Sequence, residues 1–129
     1  SVKLKPWNEP GAAVQDIISA ATELDNAGFH GPYTLALTPK SYNFLFRLYP
    51  QGHLTELDHV RQVATDGVVK APGIAAGGVL VATGPFAKIV LGQDLMVSFI
   101  GPGPGRYEFA VSETVALWLS QPEAVCVLK

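Results

Sequence analysis

Three histidines and one cysteine are the side chains best suited to bind a metal or attack a substrate: His30, His53, His59 and Cys126. A zinc site needs three or four ligands at characteristic short spacings, and none of these residues has a second ligand at the right step. His53 and His59 are six residues apart, which places them on different helical faces. We therefore expect surface histidines and no metal site. Cys126 lies in an apolar segment and is expected to be a small core residue.

The acidic residues of the predicted helices and the glycine-rich loop give no catalytic signature. Acid–base catalysis needs paired carboxylates in a cleft. The acidic pairs of the predicted helices, Glu23 with Asp25 and Glu56 with Asp58, have a spacing of two residues. Residues at that spacing do not share a helix face. The segment Gly-Pro-Gly-Pro-Gly at 101–105 lacks the N–H donors and the following helix of a phosphate-binding loop, so it is predicted to be a flexible turn between strands.

Large apolar side chains recur at every second position of residues 107–119, which is typical of a strand with one buried face. Glu113 is the exception, because it is an acid on the apolar side of that pattern. A buried carboxylate needs an arginine, a lysine or backbone N–H groups as partners. We therefore expect Glu113 to be a buried structural acid. A small hydrolase that uses Glu113 or His59 in a cleft is the distant alternative.

The composition limits the classes of function. Only 16% of the 129 residues are charged, below the roughly 25% of an ordinary domain, which favours a surface covered by a partner subunit. Nine Lys and Arg against eleven Asp and Glu give no electrostatic support for nucleic-acid binding. Prolines and glycines interrupt the longest uncharged stretch, 71–87, so no membrane helix is predicted. Because the sequence starts at Ser1, we expect the chain to be a processed or trimmed piece of a longer polypeptide.

The periodicity predicts an α+β domain, with the helices early and most strands late. An amphipathic helix at 11–27 ends at Gly28 as a left-handed cap, a second begins at Thr38 and Pro39, and a third runs from about Thr55 to Ala64. Short strands are predicted at 33–38, 68–71, 79–83, 87–91 and 95–100. Gly77–Gly78 is expected to turn between the second and third of these. A long two-stranded element, 107–119 with 124–128, is expected to end the chain.

Several segments together resemble the encapsulin shell proteins. These are Gly-Pro-Tyr-Thr-Leu at 31–35, Pro-Gln-Gly-His-Leu at 50–54, Ile-Val-Leu-Gly-Gln-Asp-Leu at 89–95, Glu-Thr at 113–114 and Pro-Glu-Ala at 122–124. Their order and spacing agree from about Pro10 to Leu128. The family is also known as linocin-like bacteriocins and shares the major capsid protein fold of tailed phages.

The resemblance implies a structural shell subunit, without catalysis or cofactor of its own. Such subunits assemble into closed icosahedral compartments in the cytoplasm of bacteria and archaea. The expected partners are further copies of the chain and a cargo enzyme, a ferritin-like protein or a dye-decolourising peroxidase, with no nucleic acid and no membrane. A phage or prophage major capsid protein is the runner-up, and the charge balance argues mildly against its DNA-facing surface.

The resemblance also implies a domain arrangement and one site. Residues 1–10 would be an extended lead-in, 11–106 an axial-type domain with helices around a small mixed sheet, and 107–129 strands of the peripheral domain. The N-terminal arm, extended loop and spine helix of the family are absent, so a truncated form or fragment is expected. The pore loop at the five-fold axis would comprise Gln51, Gly52, His53 and Leu54. Protonation of His53 would then change the charge of the pore.

Overall fold

The computed structural model describes every residue from Ser1 to Lys129. Its helices are α1 (Ala12–Asn26), α2 (Pro39–Phe44) and α3 (Glu56–Val63). Its strands are β1 (Tyr33–Leu37), β2 (Gly67–Lys70), β3 (Gly78–Ala82), β4 (Ala87–Gly103), β5 (Arg106–Leu119) and β6 (Val125–Leu128), the last preceded by a 3-10 turn at Pro122–Ala124. The α+β class expected from the sequence is confirmed. None of the helices is long and apolar enough to cross a bilayer.

Four strands form one mixed sheet in the order β2-β1-β3-β6. β1 is parallel to β2 and antiparallel to β3, and β3 is antiparallel to β6. The expectation that Gly77–Gly78 turns directly between neighbouring strands is wrong, because β1 lies between β2 and β3. Alternating side chains mark the two faces of a strand, but they do not identify its neighbours.

The core lies between this sheet and the helices α1 and α3. Every second residue of β1 is buried, and α1 contributes a stripe of buried residues at steps of three and four: Ala13, Ile17, Ala20, Ala21 and Leu24. The three alanines let the helix approach the strands closely. Gly28 has a φ of +89°, and its N–H donates to the carbonyl of Asp25, so the predicted left-handed cap is confirmed.

Side-chain caps begin the two shorter helices. Thr38 precedes Pro39 of α2 and accepts a hydrogen bond from the N–H of Ser41 at 3.3 Å. Thr55 precedes α3 and forms a reciprocal capping box with Asp58, whose Oδ2 accepts the N–H of Thr55 at 2.8 Å. These hydrogen bonds lower the pKa of the Asp58 carboxyl below its usual value. The helix starts predicted at Thr38 and Thr55 are confirmed.

The long strand β5 pairs with β4 as an antiparallel hairpin, from Ala87 opposite Leu119 to Gly103 opposite Arg106. The predicted pairing of 107–119 with 124–128 is therefore wrong, since β6 belongs to the four-stranded sheet. The physical reason is the tight turn at Pro104–Gly105, where Gly105 has a φ of +69° and reverses the chain. Of the turn expected at 101–105, only Pro104 and Gly105 form the tip of this hairpin, because residues 101–103 pair within β4.

Residues 87–91 and 95–100 belong to one strand, not to the two short strands that were expected. The register of β4 shifts between Leu91 and Gln93 and again between Gln93 and Met96, so the interrupting residues are bulges within a continuous ladder. The division into axial-type and peripheral-type domains remains a prediction. Its boundary at 106/107 falls inside β5, directly after the first residue of that strand, and would separate β4 from most of its paired strand.

We expect the replacement Thr55→Ala to lower the free energy of unfolding by about 1 kcal/mol, because α3 loses its N-cap. The folded pKa of Asp58 lies below its unfolded value, so its contribution is present above the ordinary carboxyl pKa and is lost as the pH falls through the folded pKa. Urea unfolding at pH 7 and in acid measures both effects. The control Thr22→Ala, an exposed position within α1, is expected to cause no loss of stability, because alanine is the better helix former. Equal losses in both variants would contradict the capping box.

Candidate functional site

The predicted pore loop is an exposed turn between α2 and α3. Leu48 and Thr55 form an isolated antiparallel bridge at its base, and the N–H of Tyr49 donates to the carbonyl of Leu54 at 3.4 Å. The structure brings all four predicted loop residues together at the tip, where each is exposed: Gln51, Gly52, His53 and Leu54. Their place at a pore remains a prediction.

A shallow cavity of about 440 Å³ lies beside this turn. Both His53 and His59 line it, although their spacing in sequence indicated different faces. The turn folds His53 back toward α3, which carries His59. The rings of Tyr49 and His59 lie 5.0 Å apart between centroids. Burial and the negative charge of Glu56 raise the pKa of the Tyr49 hydroxyl.

A buried ion pair supports the base of the turn. Oε1 of Glu56 accepts hydrogen bonds from Nη2 of Arg47 at 2.6 Å and from Nε at 2.9 Å, so two guanidinium donors converge on one carboxylate oxygen. The side chain of Glu56 is 1% exposed and that of Arg47 27%. The second carboxylate oxygen, Oε2, is buried without a hydrogen-bond partner. The whole interaction therefore depends on a single carboxylate oxygen.

The same pair fixes the lead-in segment to the turn. The guanidinium of Arg47 also donates to the carbonyls of Trp7, Asn8 and Glu9, at 3.4, 3.2 and 2.6 Å. The N–H of Gly11 donates to Oε1 of Glu56 at 3.1 Å. Sequence reasoning missed this network because it considered Glu56 only as a member of a pair with Asp58. The available signal was an acid directly after a helix cap, where burial requires a counter-charge.

A second buried acid holds the lead-in against α1. Oδ2 of Asp16 accepts the backbone N–H of Lys5 at 2.9 Å and the indole N–H of Trp7 at 3.0 Å. Farther toward the N-terminus, Val2 runs parallel to β6 and bridges Leu128. The lead-in is therefore tied to the sheet at one end and to the pore-loop turn at the other.

Glu113 is exposed in the single chain and belongs to none of its ion pairs, so this chain alone does not bury it, and its role as a buried structural acid remains a prediction. The alternation around it belongs to the β4–β5 hairpin, which does not pack its apolar face on the four-stranded sheet. Glu113 lies opposite the β4 bulge at Asp94 and Leu95, since Thr114 pairs with Gln93 and Ser112 with Met96. The break in the sequence pattern thus marks a bulge in the partner strand.

The hairpin carries an extended apolar face, interrupted only at the middle, which we call the hairpin face. Opposite residues of an antiparallel pair point to the same side, so the odd-numbered residues of β5 and their β4 partners share it. Nine large side chains on this face are between 52% and 75% exposed: Ile89, Leu91, Val97, Phe99, Tyr107, Phe109, Val111, Val115 and Leu117. Exposed apolar patches of this extent mark interaction surfaces.

The remaining candidates have no catalytic geometry. His30 is exposed, and its Nδ1 lies 3.5 Å from Oδ1 of Asp25. Cys126 is buried in β6, as expected for a core residue, and burial raises the pKa of its thiol above the usual value. Its sulfur lies 3.7 Å from Oε2 of Glu23. A thiol with a raised pKa is a poor nucleophile at neutral pH.

Comparison with known proteins identifies the family. The family model described as Linocin_M18, encapsulating protein for peroxidase, matches residues 1–116. The chain belongs to this encapsulin family. It is 31% identical to the type 1 encapsulin shell protein EncA of Myxococcus xanthus, over 100% of this chain and 46% of EncA. It is 30% identical to a diheme-cytochrome-encapsulin shell fusion protein of Kuenenia stuttgartiensis, over 99% of this chain and 36% of that protein.

A solved structure agrees with the fold. The subunit of a virus-like particle from Pyrococcus furiosus superimposes with a TM-score of 0.86 and 28% identity, over 98% of this chain and 54% of that chain. The capsid-like α+β fold and the encapsulin resemblance are thereby confirmed. The encapsulin chain described here spans between about a third and about half of the length of these relatives.

We expect Glu56→Gln to lower the free energy of unfolding by about 3 kcal/mol, because it leaves Arg47 beside a neutral group in a largely buried site. The double replacement Arg47→Met with Glu56→Leu is expected to recover part of that loss, since it removes both charges. It is not expected to recover all of it, because the N–H of Gly11 and the carbonyl of Trp7 lose their partners. Urea unfolding of the single and double variants measures the coupling.

The exposed pair of Arg106 with Glu108, at 2.9 Å, provides the matched control for this cycle. Replacing the charged residues of this exposed pair by neutral ones is expected to change the free energy of unfolding by less than about 1 kcal/mol, because water screens exposed charges. An effect of Glu56→Gln as small as that of the control would show that the buried pair does not hold the turn.

Proposed function

We propose that this chain forms part of an encapsulin shell subunit, which assembles with further copies into a closed protein compartment and has no catalysis of its own. The observation that carries the proposal is the superposition on the subunit of a virus-like particle over nearly the whole chain. The curated relatives are named as shell proteins or as shell fusion proteins.

The surface chemistry supports the same proposal. A low charge fraction suits a subunit whose flanks are covered in an assembly, and the nine exposed apolar side chains of the hairpin face show that this part of the chain needs further polypeptide to cover it. A two-stranded hairpin without further support is only marginally stable in water. The hairpin of this chain therefore gains its stability from what packs against it.

We further propose that the compartment lies in the cytoplasm and encloses a redox or iron-handling enzyme. Two relatives are fusions of an encapsulin shell with a diheme cytochrome and with a ferritin-like protein, and the family description names a peroxidase. A ferritin-like protein or a dye-decolourising peroxidase is the cargo of this kind that we expect for the present chain.

The test of shell formation is a chimera in which this chain replaces the matched span of Myxococcus xanthus EncA, called the EncA chimera below. Electron microscopy and light scattering of the purified chimera are expected to show closed round particles. A variant with Ile17→Asp, which places a charge in the core, is the non-assembling control. A chimera that folds and remains a monomer would overturn the proposed function.

We also propose that the turn at 50–54 lines a pore and that His53 controls its charge. Histidine is the side chain that ordinarily changes charge between pH 5 and 8. Cation entry into chimera particles is expected to slow as the pH falls through that range, because a ring of protonated histidines repels cations. The replacement His53→Ala is expected to remove the pH dependence, and His30→Ala, at an exposed site outside the turn, to leave it intact. An unchanged pH profile in His53→Ala would contradict this role.

A further inference from the structure

The hairpin face is apolar along its length except at the middle. Glu113 is the eighth of the 14 residues of β5, and the bulge that opposes it contains Asp94, the eighth of the 17 residues of β4. Both acids are exposed, and no ion pair within the chain includes either of them. The other charged groups of the hairpin have contacts on its opposite side: Arg106 pairs with Glu108, and Lys88 lies over the ring of Trp118.

The central acids show what kind of surface can cover this face. An apolar cover alone would desolvate Glu113 without compensation, which is costly for a carboxylate. A second copy of the same face is disfavoured for a related reason. If two copies overlap fully about a two-fold axis, the middle of one face meets the middle of the other, and four carboxylates gather in a buried interface.

We propose that the hairpin face docks an apolar element that carries a lysine or arginine opposite Glu113. This inference rests on the proposed shell function, and it assigns the element to the part of a shell subunit that lies outside the matched span. That part exists in the relatives, because the chain covers 46% of EncA and 54% of the particle subunit. The cation pairs with Glu113 in the covered interface, and the apolar side chains on either side of Glu113 exclude water from the pair.

Carboxyl labelling tests whether the face is covered and by which polypeptide. Glu113 is expected to react with a carbodiimide and glycine ethyl ester in the isolated chain and to be protected in the EncA chimera. Protection is expected in unassembled chimera subunits as well as in particles, because the partner belongs to the same subunit. Protection that appears only in particles would assign the cover to a neighbouring copy and overturn the proposal, as would full labelling in every form.

The direction in which Glu113→Leu changes the stability of the chimera shows whether the partner carries a positive charge. Glu113→Leu adds apolar surface, so it stabilises the chimera if the cover is purely apolar and destabilises it if a cation is left unpaired. We expect both Glu113→Leu and Glu113→Gln to raise the equilibrium constant for unfolding of the chimera about tenfold or more. The same variants in the isolated chain, where Glu113 is exposed, are expected to have little effect.

Glu123→Gln is the matched control, because Glu123 is an exposed acid outside the hairpin. Stabilisation of the chimera by Glu113→Leu would overturn the proposed cation. The labelling needs no variant, so its result stands even if a substituted chimera does not fold. Particles that form with Glu113 fully labelled would refute this inference and leave the shell function intact. A chimera in which Glu113 is protected but which never assembles would support this inference and contradict the proposed shell function.

Discussion

The pairing of Arg47 with Glu56 is the interaction on which the arrangement of the molecule most depends. Glu56 is buried, and every hydrogen bond to its carboxylate reaches one oxygen. Arg47 uses its remaining donors on backbone carbonyls of the lead-in. Since buried charges require partners, the start of the chain, the end of α2 and the start of α3 must meet at one point. The position of the exposed turn at 50–54 follows from that meeting.

The rest of the chain divides by how its apolar surface is covered. The four-stranded sheet buries alternate residues of β1 and β3 against the helices, so this part of the molecule satisfies its own hydrophobic requirement. The hairpin of β4 and β5 leaves its hydrophobic face exposed. One part of the chain therefore holds its own shape, and the other presents apolar surface that further polypeptide must cover.

Local features were predictable from the sequence, and strand neighbours were not. The caps at Thr38 and Thr55 and the glycine at 28 act within a few residues, so the sequence alone indicates them. The partner of residues 107–119 depends on a tight turn at 104–105 and on which sheet accepts β6, and periodicity contains neither fact. Likewise, Glu113 was recognised as unusual, but its exposure follows from the absence of a covering layer within this chain.

Glu56 and Glu113 show one physical rule under two conditions. A carboxylate inside an apolar surface needs a cation or several N–H donors, whichever polypeptide supplies them. For Glu56 the donors come from Arg47 and Gly11 within this chain, and the fold closes around them. For Glu113 the hairpin supplies apolar surroundings but no cation. The polypeptide that covers the hairpin face must therefore supply the cation. The same requirement of a carboxylate therefore indicates an internal contact in one case and a docking partner in the other.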